Sequence, residues 1–571
     1  MELSITTLQI IGGAKIMLFI FVFLLVLFIW KKAKPWMYLI IITAAVAGFY
    51  YLLSDSMQKM FWANNGDEVF IFSFLTKVLA GDYFTDFYYS HLPPFYPPLY
   101  FWITGTVAKI FTANGIMAAR IGTFLTLLVW FIGPYFFQKL FWLFDPKKEK
   151  PSIIKSKWFW LLTPIIFFLS VDFDAIILKP YETLPALLCV LLIGFIAQSF
   201  DWDKWSWKNY IFIGISGGLL FLTYYFWWFI LIPAIFTLAL LSEYKSKNIL
   251  RIILFGLIIF IISSPYLIPL LKSYIEFGME NWQAAYFVPP DLSTFVPWFD
   301  LNLKSIILII GLIGLIWFRR KKFIKASLVT FVFAFIYQLI NVLIFAFGAK
   351  PAQAAKPFLF LGTACLTIGA AYLTIYLFQK YTAKLELKYQ KSIALILILL
   401  FIPLMPFVRF VDDPVVQNQI EKDLKIPEIK PLADFIKQNI DFQDRIWLSS
   451  GAPEINAYIP LTYYIAHNPH FSHHAANYSK RFTEIENMTQ AQTADKFMQI
   501  IQQGQPQKID SLILYFDKTT NTYPLFFWSD NYPNGGKELR LDLPKNLIDE
   551  KYWQKVYNED EWYIFIKKYE K

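Results

Sequence analysis

Apolar residues in this chain come in long blocks, and the charged residues are confined to the segments between them. Twelve blocks approach the length needed to cross about 30 Å of hydrocarbon, at 13–30, 36–53, 117–140, 158–171, 183–199, 209–223, 226–241, 250–271, 304–318, 326–347, 357–378 and 392–408. The pattern predicts a mainly α, polytopic membrane protein with about 12 transmembrane helices, or 11–13 depending on two ambiguous segments. The block 158–171 is short, and 209–241 reads either as one long kinked helix or as two spans around "YYFWW". The run from Ile16 to Trp30 is followed by Lys31 and Lys32 and lacks the small-residue site of a cleaved leader, so a retained span is expected.

Basic segments orient the blocks, because Lys and Arg stay on the cytoplasmic side. "KKAK" at 31–34, "KKEKPSIIKSK" at 147–157, "KSKNILR" at 245–251, "RRKKFIK" at 319–325 and "KYTAKLELKYQK" at 380–391 all fall in alternate loops. One topology satisfies them all: the N-terminus, residues 54–115 and everything after Arg409 lie outside the cytoplasmic membrane. Past Arg409 the blocks give way to "PLADFIKQNI", a helix, "RIWLSS" and "SLILYFD", both strands, a Gln-rich helix near 487–503, and "WQKVYNEDEWYIFIKK", a hairpin turning at "NED". Two domains are expected: a membrane domain at 1–408 and an extracytoplasmic α/β domain at 409–571.

Composition agrees and narrows the chemistry. Of 571 residues, 57% are hydrophobic and only 16% charged, while aromatics reach 20%, as suits loops lying at a water–lipid boundary. The formal charge of +10 sits in short inter-block loops, not on one soluble face, which argues against nucleic acid. Cys189 and Cys365 fall inside blocks and read as small buried hydrophobes. No P-loop or Gly-rich nucleotide fingerprint is visible, so a nucleotide-sugar donor is disfavoured.

Ionisable groups gather in the outside loops: Asp67, Glu68, Asp82, Asp86, His91, Lys179, Glu182, Lys350 and Lys356 among them. A transporter more often holds such groups near the midplane, and these blocks are almost free of them. Asp67 and Glu68 end "NNGDE", a helix start before the apolar "VFIFSFLTKVLAG". So greasy a helix beside membrane is expected to lie in the interface. "DFYYSHLPPFYPPLYFW" (86–102) follows, where four prolines enforce a rigid turn expected to hold His91 and Tyr96 near Asp67 and Glu68.

This stretch, with "KPYETLPALL" (179–188), "AKPFLFLG" (355–362), "AHNPHFSHHAANYSKRF" (466–482) and "IDSLILYFDK" (509–518), resembles the galactan arabinofuranosyltransferase family of actinobacterial cell walls. Phe471 and His474 depart from it, standing where the family has Tyr and Pro. The resemblance implies a GT-C integral-membrane glycosyltransferase that moves a sugar, arabinofuranose in the family, from a polyprenyl-phosphate donor to a cell-envelope polysaccharide. Such an inverting displacement needs a base for the acceptor hydroxyl and cations for the departing phosphate. Asp67, or Glu68 after it, is the candidate base; an N-terminal helix cap is the plainer alternative. His91, Lys179, Lys350 and Lys356 are candidates for the donor phosphate, with snorkelling as the lysines' ordinary role. Tyr96, Tyr181, Glu182, His473, Asn477 and Arg481 are candidates for sugar or acceptor, the last three being spaced by four as on one helical face. "HNPHFSHH" matches no metal motif, while a divalent cation between Asp67 and the phosphate stays open. Three other readings also stay open: a GT-C transferase with another lipid-linked sugar or a protein acceptor, a flippase for polyprenyl-linked sugars, and a scaffold.

Overall fold

The computed structural model describes residues 66–112, 114–144, 153–171, 179–202, 205–280, 303–349, 356–382, 429–504, 507–530 and 536–568, with scattered positions elsewhere. The expected spans at 13–30, 36–53 and 392–408 therefore lie outside the described residues, apart from isolated positions. Two compact units emerge. One comprises Met1–Ala63, Arg120–Pro265 and Pro290–Ile426; the other comprises Asn64–Ala119, Tyr266–Pro289 and Pro427–Lys571.

The expected blocks from 117–140 to 357–378 each coincide with a helix. Among the described residues, five helices are long and apolar enough to cross a membrane: Gly115–Gln138, Pro180–Ser199, Lys245–Phe277, Lys322–Ala346 and Pro357–Tyr381. The segment around "YYFWW" resolves into Trp207–Thr223 and Tyr225–Leu240, bent by 117° at the break, a broken span or re-entrant loop. Trp158–Ser170 and Lys304–Trp317 are shorter apolar helices.

In the first unit the helices differ in what covers them. Pro180–Ser199 and Pro357–Tyr381 are enclosed by protein, with Leu187, Val190, Leu361 and Ala371 fully buried. Lys322–Ala346, by contrast, presents Val332, Ile336, Leu339, Ile340 and Leu343 outward, a face that suits lipid tails and not water. Cys189 and Cys365 are free thiols buried in the two enclosed helices, as their apolar settings predict.

Helices Leu303–Trp317 and Thr363–Thr382 approach closely because glycines face each other. A Cβ at Gly311 would come within 2.2 Å of the Leu366 carbonyl oxygen, one at Gly314 within 2.2 Å of the Gly369 oxygen, and one at Gly369 within 2.2 Å of the Gly311 oxygen. With little hydrophobic drive between helices in lipid, such backbone-to-backbone contact supplies the packing.

The second unit is α/β. Its sheet has the order β2-β1-β3-β7-β6, from Ile446–Ser449 (β1), Thr462–Tyr463 (β2), Ser511–Tyr515 (β3), Trp553–Glu559 (β6) and Trp562–Lys567 (β7). β1 pairs parallel with β2 and β3, and β3, β7 and β6 run antiparallel. The β6–β7 hairpin turns at Asp560 and Glu561, whose φ values of 48° and 67° give the turn the hand that matches strand twist. The expected Gln-rich helix is two helices, Tyr478–Thr489 and Ala494–Gln503. A second hairpin, Thr522–Asp530 (β4) with Gly536–Pro544 (β5), is added to the elements expected from sequence.

The helix Gly66–Leu79 belongs to this unit and corrects one expectation. It offers no apolar face to lipid: Phe70, Phe74, Leu75 and Val78 have no exposure, and Val69, Ile71 and Phe72 almost none. A helix apolar all round is one covered all round, here by protein. Gly105 lets the helix Leu99–Ala108 sit against Val78, and Thr76 Oγ1 donates to the Ala457 carbonyl at 3.1 Å. Gly81, at φ 96°, ends the helix while the Asp82 N–H bonds back to the Lys77 carbonyl at 3.0 Å.

The glycine contact gives the first prediction. Gly311→Ala and Gly369→Ala each destabilise the detergent-solubilised protein by about 1–3 kcal/mol, the usual cost of overpacking. Gly256→Ala, whose added Cβ meets nothing within 4 Å, leaves the thermal unfolding midpoint unchanged.

Candidate functional site

Two groups of polar side chains stand out, one in each unit. In the α/β unit the proline loop is held from inside by Asp86, which is fully buried. Its Oδ1 accepts the backbone N–H groups of Tyr88 (3.0 Å) and Tyr89 (3.2 Å), and its own N–H donates to the Leu92 carbonyl at 2.8 Å. Burial pushes the carboxyl up to about 7, against the pull of those N–H groups and of Lys77. Lys77 is itself buried, and burial lowers its pKa; its Nζ meets Asp82 at 3.4 Å and Thr85 at 3.1 Å. The four prolines then carry the chain, without helix, from Ser90 to the helix that starts at Leu99.

The loop's aromatics dock on neighbouring elements of the same unit. Tyr96 stacks on Phe70 (4.2 Å between centroids, 24°), one turn beyond Asp67 in the same helix. Asp67 is half-buried and Glu68 buried, both in the helix's first turn. His91 is grouped instead with Tyr89, Phe277 and Arg481. Phe95 packs between His474 (4.5 Å) and His473 (5.8 Å), and its carbonyl accepts the Tyr266 hydroxyl at 2.7 Å.

Arg481 anchors the other side of this group. It has no exposed surface; Nε donates to the Ala476 carbonyl at 2.7 Å, Nη1 donates to the Tyr464 carbonyl at 2.5 Å, and its guanidinium lies over the rings of Tyr89 (5.2 Å) and Tyr464 (4.9 Å). Tyr89 in turn bonds Ser472 at 2.9 Å and accepts the Ala466 N–H at 2.9 Å. The expected helical face of His473, Asn477 and Arg481 does not form. The helix begins at Tyr478, Asn477 caps it with φ 52°, and His473 lies before it in a turn. A spacing of four implies a shared face only where the backbone is helical throughout.

His473 Nδ1 accepts the Ala475 N–H at 2.9 Å, which puts the ring proton on Nε2. Burial, with neighbouring charge, holds His473 down at about 3 and His91 at about 4, and burial alone holds His474 at about 4. All three are neutral near pH 7, so none presents a full positive charge to a phosphate. No group of three or more metal-ligating side chains occurs among the described residues. The cavity lined by Tyr88, Tyr463, His467 and Phe526 holds about 10 Å³, room for a water and not for a sugar.

The helical unit holds the other group. Lys179 stands at the N-cap of Pro180–Ser199, and Tyr181 and Glu182 occupy the first turn, both almost fully buried. Glu182 Oε1 accepts a hydrogen bond from Lys356 Nζ at 2.9 Å, and Trp227 Nε1 donates to the Glu182 backbone carbonyl at 3.0 Å. Trp227 lies at the broken segment, beside Tyr224 (5.0 Å) and Phe360 (6.1 Å). Lys356 immediately precedes a π-helical turn, Pro357–Gly362, a rare distortion that often marks functional positions. Lys350 lies outside the described residues. Sequence reasoning named Glu182 and Lys356 separately; their pairing across 174 positions has no local signal.

Two predictions follow from the α/β group. Ionisation of the buried Asp86 opposes folding, so its contribution is fully favourable below the ordinary value of 3.8 and is lost as pH rises through about 7. Asp86→Asn, which keeps the acceptor for Tyr88 and Tyr89, therefore stabilises the protein at pH 8, with an advantage that shrinks steadily toward pH 4 in thermal unfolding. Arg481→Met leaves two buried carbonyls without donors and destabilises by about 2–5 kcal/mol, measured by the same unfolding assay.

Comparison with known proteins places part of this chain. Residues 4–120, which include Asp67 and the whole proline-aromatic loop, match the family model described as arabinofuranosyltransferase N terminal. Among solved structures, the chain is similar to ArnT from Cupriavidus metallidurans bound to undecaprenyl phosphate, at 11% identity and a TM-score of 0.49 over 89% of this chain and 98% of that one. The apo state of the same protein matches at 13% identity and a TM-score of 0.46, with the same coverage. No curated protein matches.

Proposed function

We propose that this protein is a polyprenyl-phosphate-dependent glycosyltransferase of the GT-C class, acting at the outer face of the cytoplasmic membrane on a cell-envelope polysaccharide. The observation that carries this reading is the arabinofuranosyltransferase family match over residues 4–120, which points to arabinofuranose as the sugar. The apolar helices support a lipid-linked donor, since its tail lies in the bilayer while its phosphate stays at the surface. The topology of about 12 spans, with an extracytoplasmic α/β domain, belongs to the same proposal.

In the reaction a base removes the proton from an acceptor hydroxyl, the oxygen attacks the anomeric carbon from the face opposite the phosphate, and the glycosidic bond forms as polyprenyl phosphate leaves. Asp67 is the proposed base. It is half-buried, open to an acceptor, whereas Glu68 beside it is enclosed. Lys356, Lys179 and Lys350 are the proposed cations for the phosphate, and His91, neutral near pH 7, serves there only as a hydrogen-bonding group. Tyr96, Tyr181 and Glu182 are assigned to sugar or acceptor. His473, Asn477 and Arg481 shape the loop that faces the acceptor, with Arg481 as a positioning residue because its guanidinium is spent on carbonyls and rings.

The test uses purified protein in lipid with polyprenyl-phosphate arabinofuranose and envelope glycan acceptors. Asp67→Asn lowers transfer about a thousandfold, within the roughly 10²–10⁴ that general bases contribute. Full activity in that variant reduces Asp67 to a helix cap and removes the assignment.

A further inference from the structure

Glu182 and Lys356 form an ion pair with an unusual imbalance. The Glu182 side chain is 1% exposed and the Lys356 side chain 20% exposed, at a separation of 2.9 Å. Glu182 Oε2 is buried and has no hydrogen-bond partner among the described residues. An unsatisfied buried carboxylate oxygen is costly, and a pair kept only for stability is normally saturated with hydrogen bonds. Lys356 Nζ carries three donors, of which Oε1 takes one. The pair therefore offers, side by side, an acceptor waiting for a hydroxyl and donors for an anionic oxygen.

The surroundings are those of a site. Glu182 is fixed by its place in the first helical turn and by Trp227, which binds its carbonyl at the break between two helices bent by 117°. Irregular backbone at membrane depth is tolerated where it is buried in protein or lines a cavity. A ligand that matches both halves must carry an anionic oxygen and a hydroxyl on neighbouring atoms. A glycosyl phosphate does, with phosphate on the anomeric carbon and a hydroxyl on the next carbon.

We propose that the Lys356–Glu182 pair reads the donor at these two points, Lys356 taking a phosphate oxygen and Glu182 Oε2 accepting the hydroxyl next to the anomeric carbon. The inference rests on the donor class proposed above. It also separates donor from product. The glycosyl phosphodiester carries one negative charge, whereas the released monoester carries about −1.5 to −2 near pH 7 and brings no hydroxyl, so Glu182 repels it.

The experiment measures equilibrium binding, in nanodiscs, of short-chain prenyl-phosphate arabinofuranose, its 2-deoxy analogue and the sugar-free prenyl phosphate. Wild type prefers the hydroxylated donor over the deoxy analogue by about tenfold to a hundredfold, the value of one hydrogen bond to a charged group. Glu182→Gln, which keeps only a neutral acceptor, cuts that preference to below about tenfold and binds the sugar-free phosphate more tightly than wild type, a gain that misfolding does not produce. The exchange Glu182→Lys with Lys356→Glu keeps an ion pair and the unfolding midpoint but restores neither preference. An unchanged preference in Glu182→Gln, wild-type binding in the exchanged pair, or no binding of any ligand by wild type overturns the proposal. Binding with the expected pattern but no sugar transfer refutes the transferase reading and leaves the role of the pair standing.

Discussion

A helix that is apolar on every face has to be enclosed, and the α/β unit is organised around meeting that demand for Gly66–Leu79. The sides of this helix are closed by Leu99–Ala108, by the aromatics of the proline loop and by the turn at Pro453–Ala457. Two of these covers follow the helix directly in sequence, but the turn at Pro453–Ala457 comes from far along the chain, with Thr76 bonding Ala457 across 381 positions, so enclosing one helix draws residues 64–119 together with the chain after 427. The same enclosure fixes Asp67 and Glu68 at its first turn, on the rigid backbone that the proposed base role of Asp67 requires.

Burial then sets the electrostatics of this unit. Asp86 is tied to backbone N–H groups, Lys77 is shared between Asp82 and Thr85, and Arg481 is spent on carbonyls and aromatic faces. His91, His473 and His474 are held neutral near pH 7. In the helical unit Lys356 pairs with Glu182, whose second carboxylate oxygen has no partner among the described residues. A pair of that kind suits a ligand that is both anionic and hydroxylated.

Much of the architecture was legible in the sequence because the hydrophobic blocks are long and their punctuation is strong. The helices from 117–140 to 357–378, the strands at "RIWLSS" and "SLILYFD" and the "NED" hairpin are all local signals, and all are present. Features that depend on tertiary context were not legible. The pattern of Gly66–Leu79 says that it is covered and not whether protein or lipid covers it. The face expected for His473, Asn477 and Arg481 fails because Asn477 takes a left-handed conformation that ends the helical repeat. The β4–β5 hairpin was legible only in part: β5 alternates Leu539, Leu541 and Leu543 and β4 is rich in aromatics, but Pro524 inside β4 argues against a strand. Four prolines leave the segment of Tyr96 little freedom, and its ring docks on Phe70.

The central claim is that this chain forms a glycosidic bond from a lipid-linked sugar. Its most direct test is to supply anomerically pure polyprenyl-phosphate arabinofuranose and a glycan acceptor to the protein in sealed vesicles and determine the products by NMR. The account predicts a new glycosidic linkage of inverted anomeric configuration, with one polyprenyl phosphate released per linkage. Passage of the intact lipid-linked sugar across the bilayer, with no glycosidic product, would contradict it.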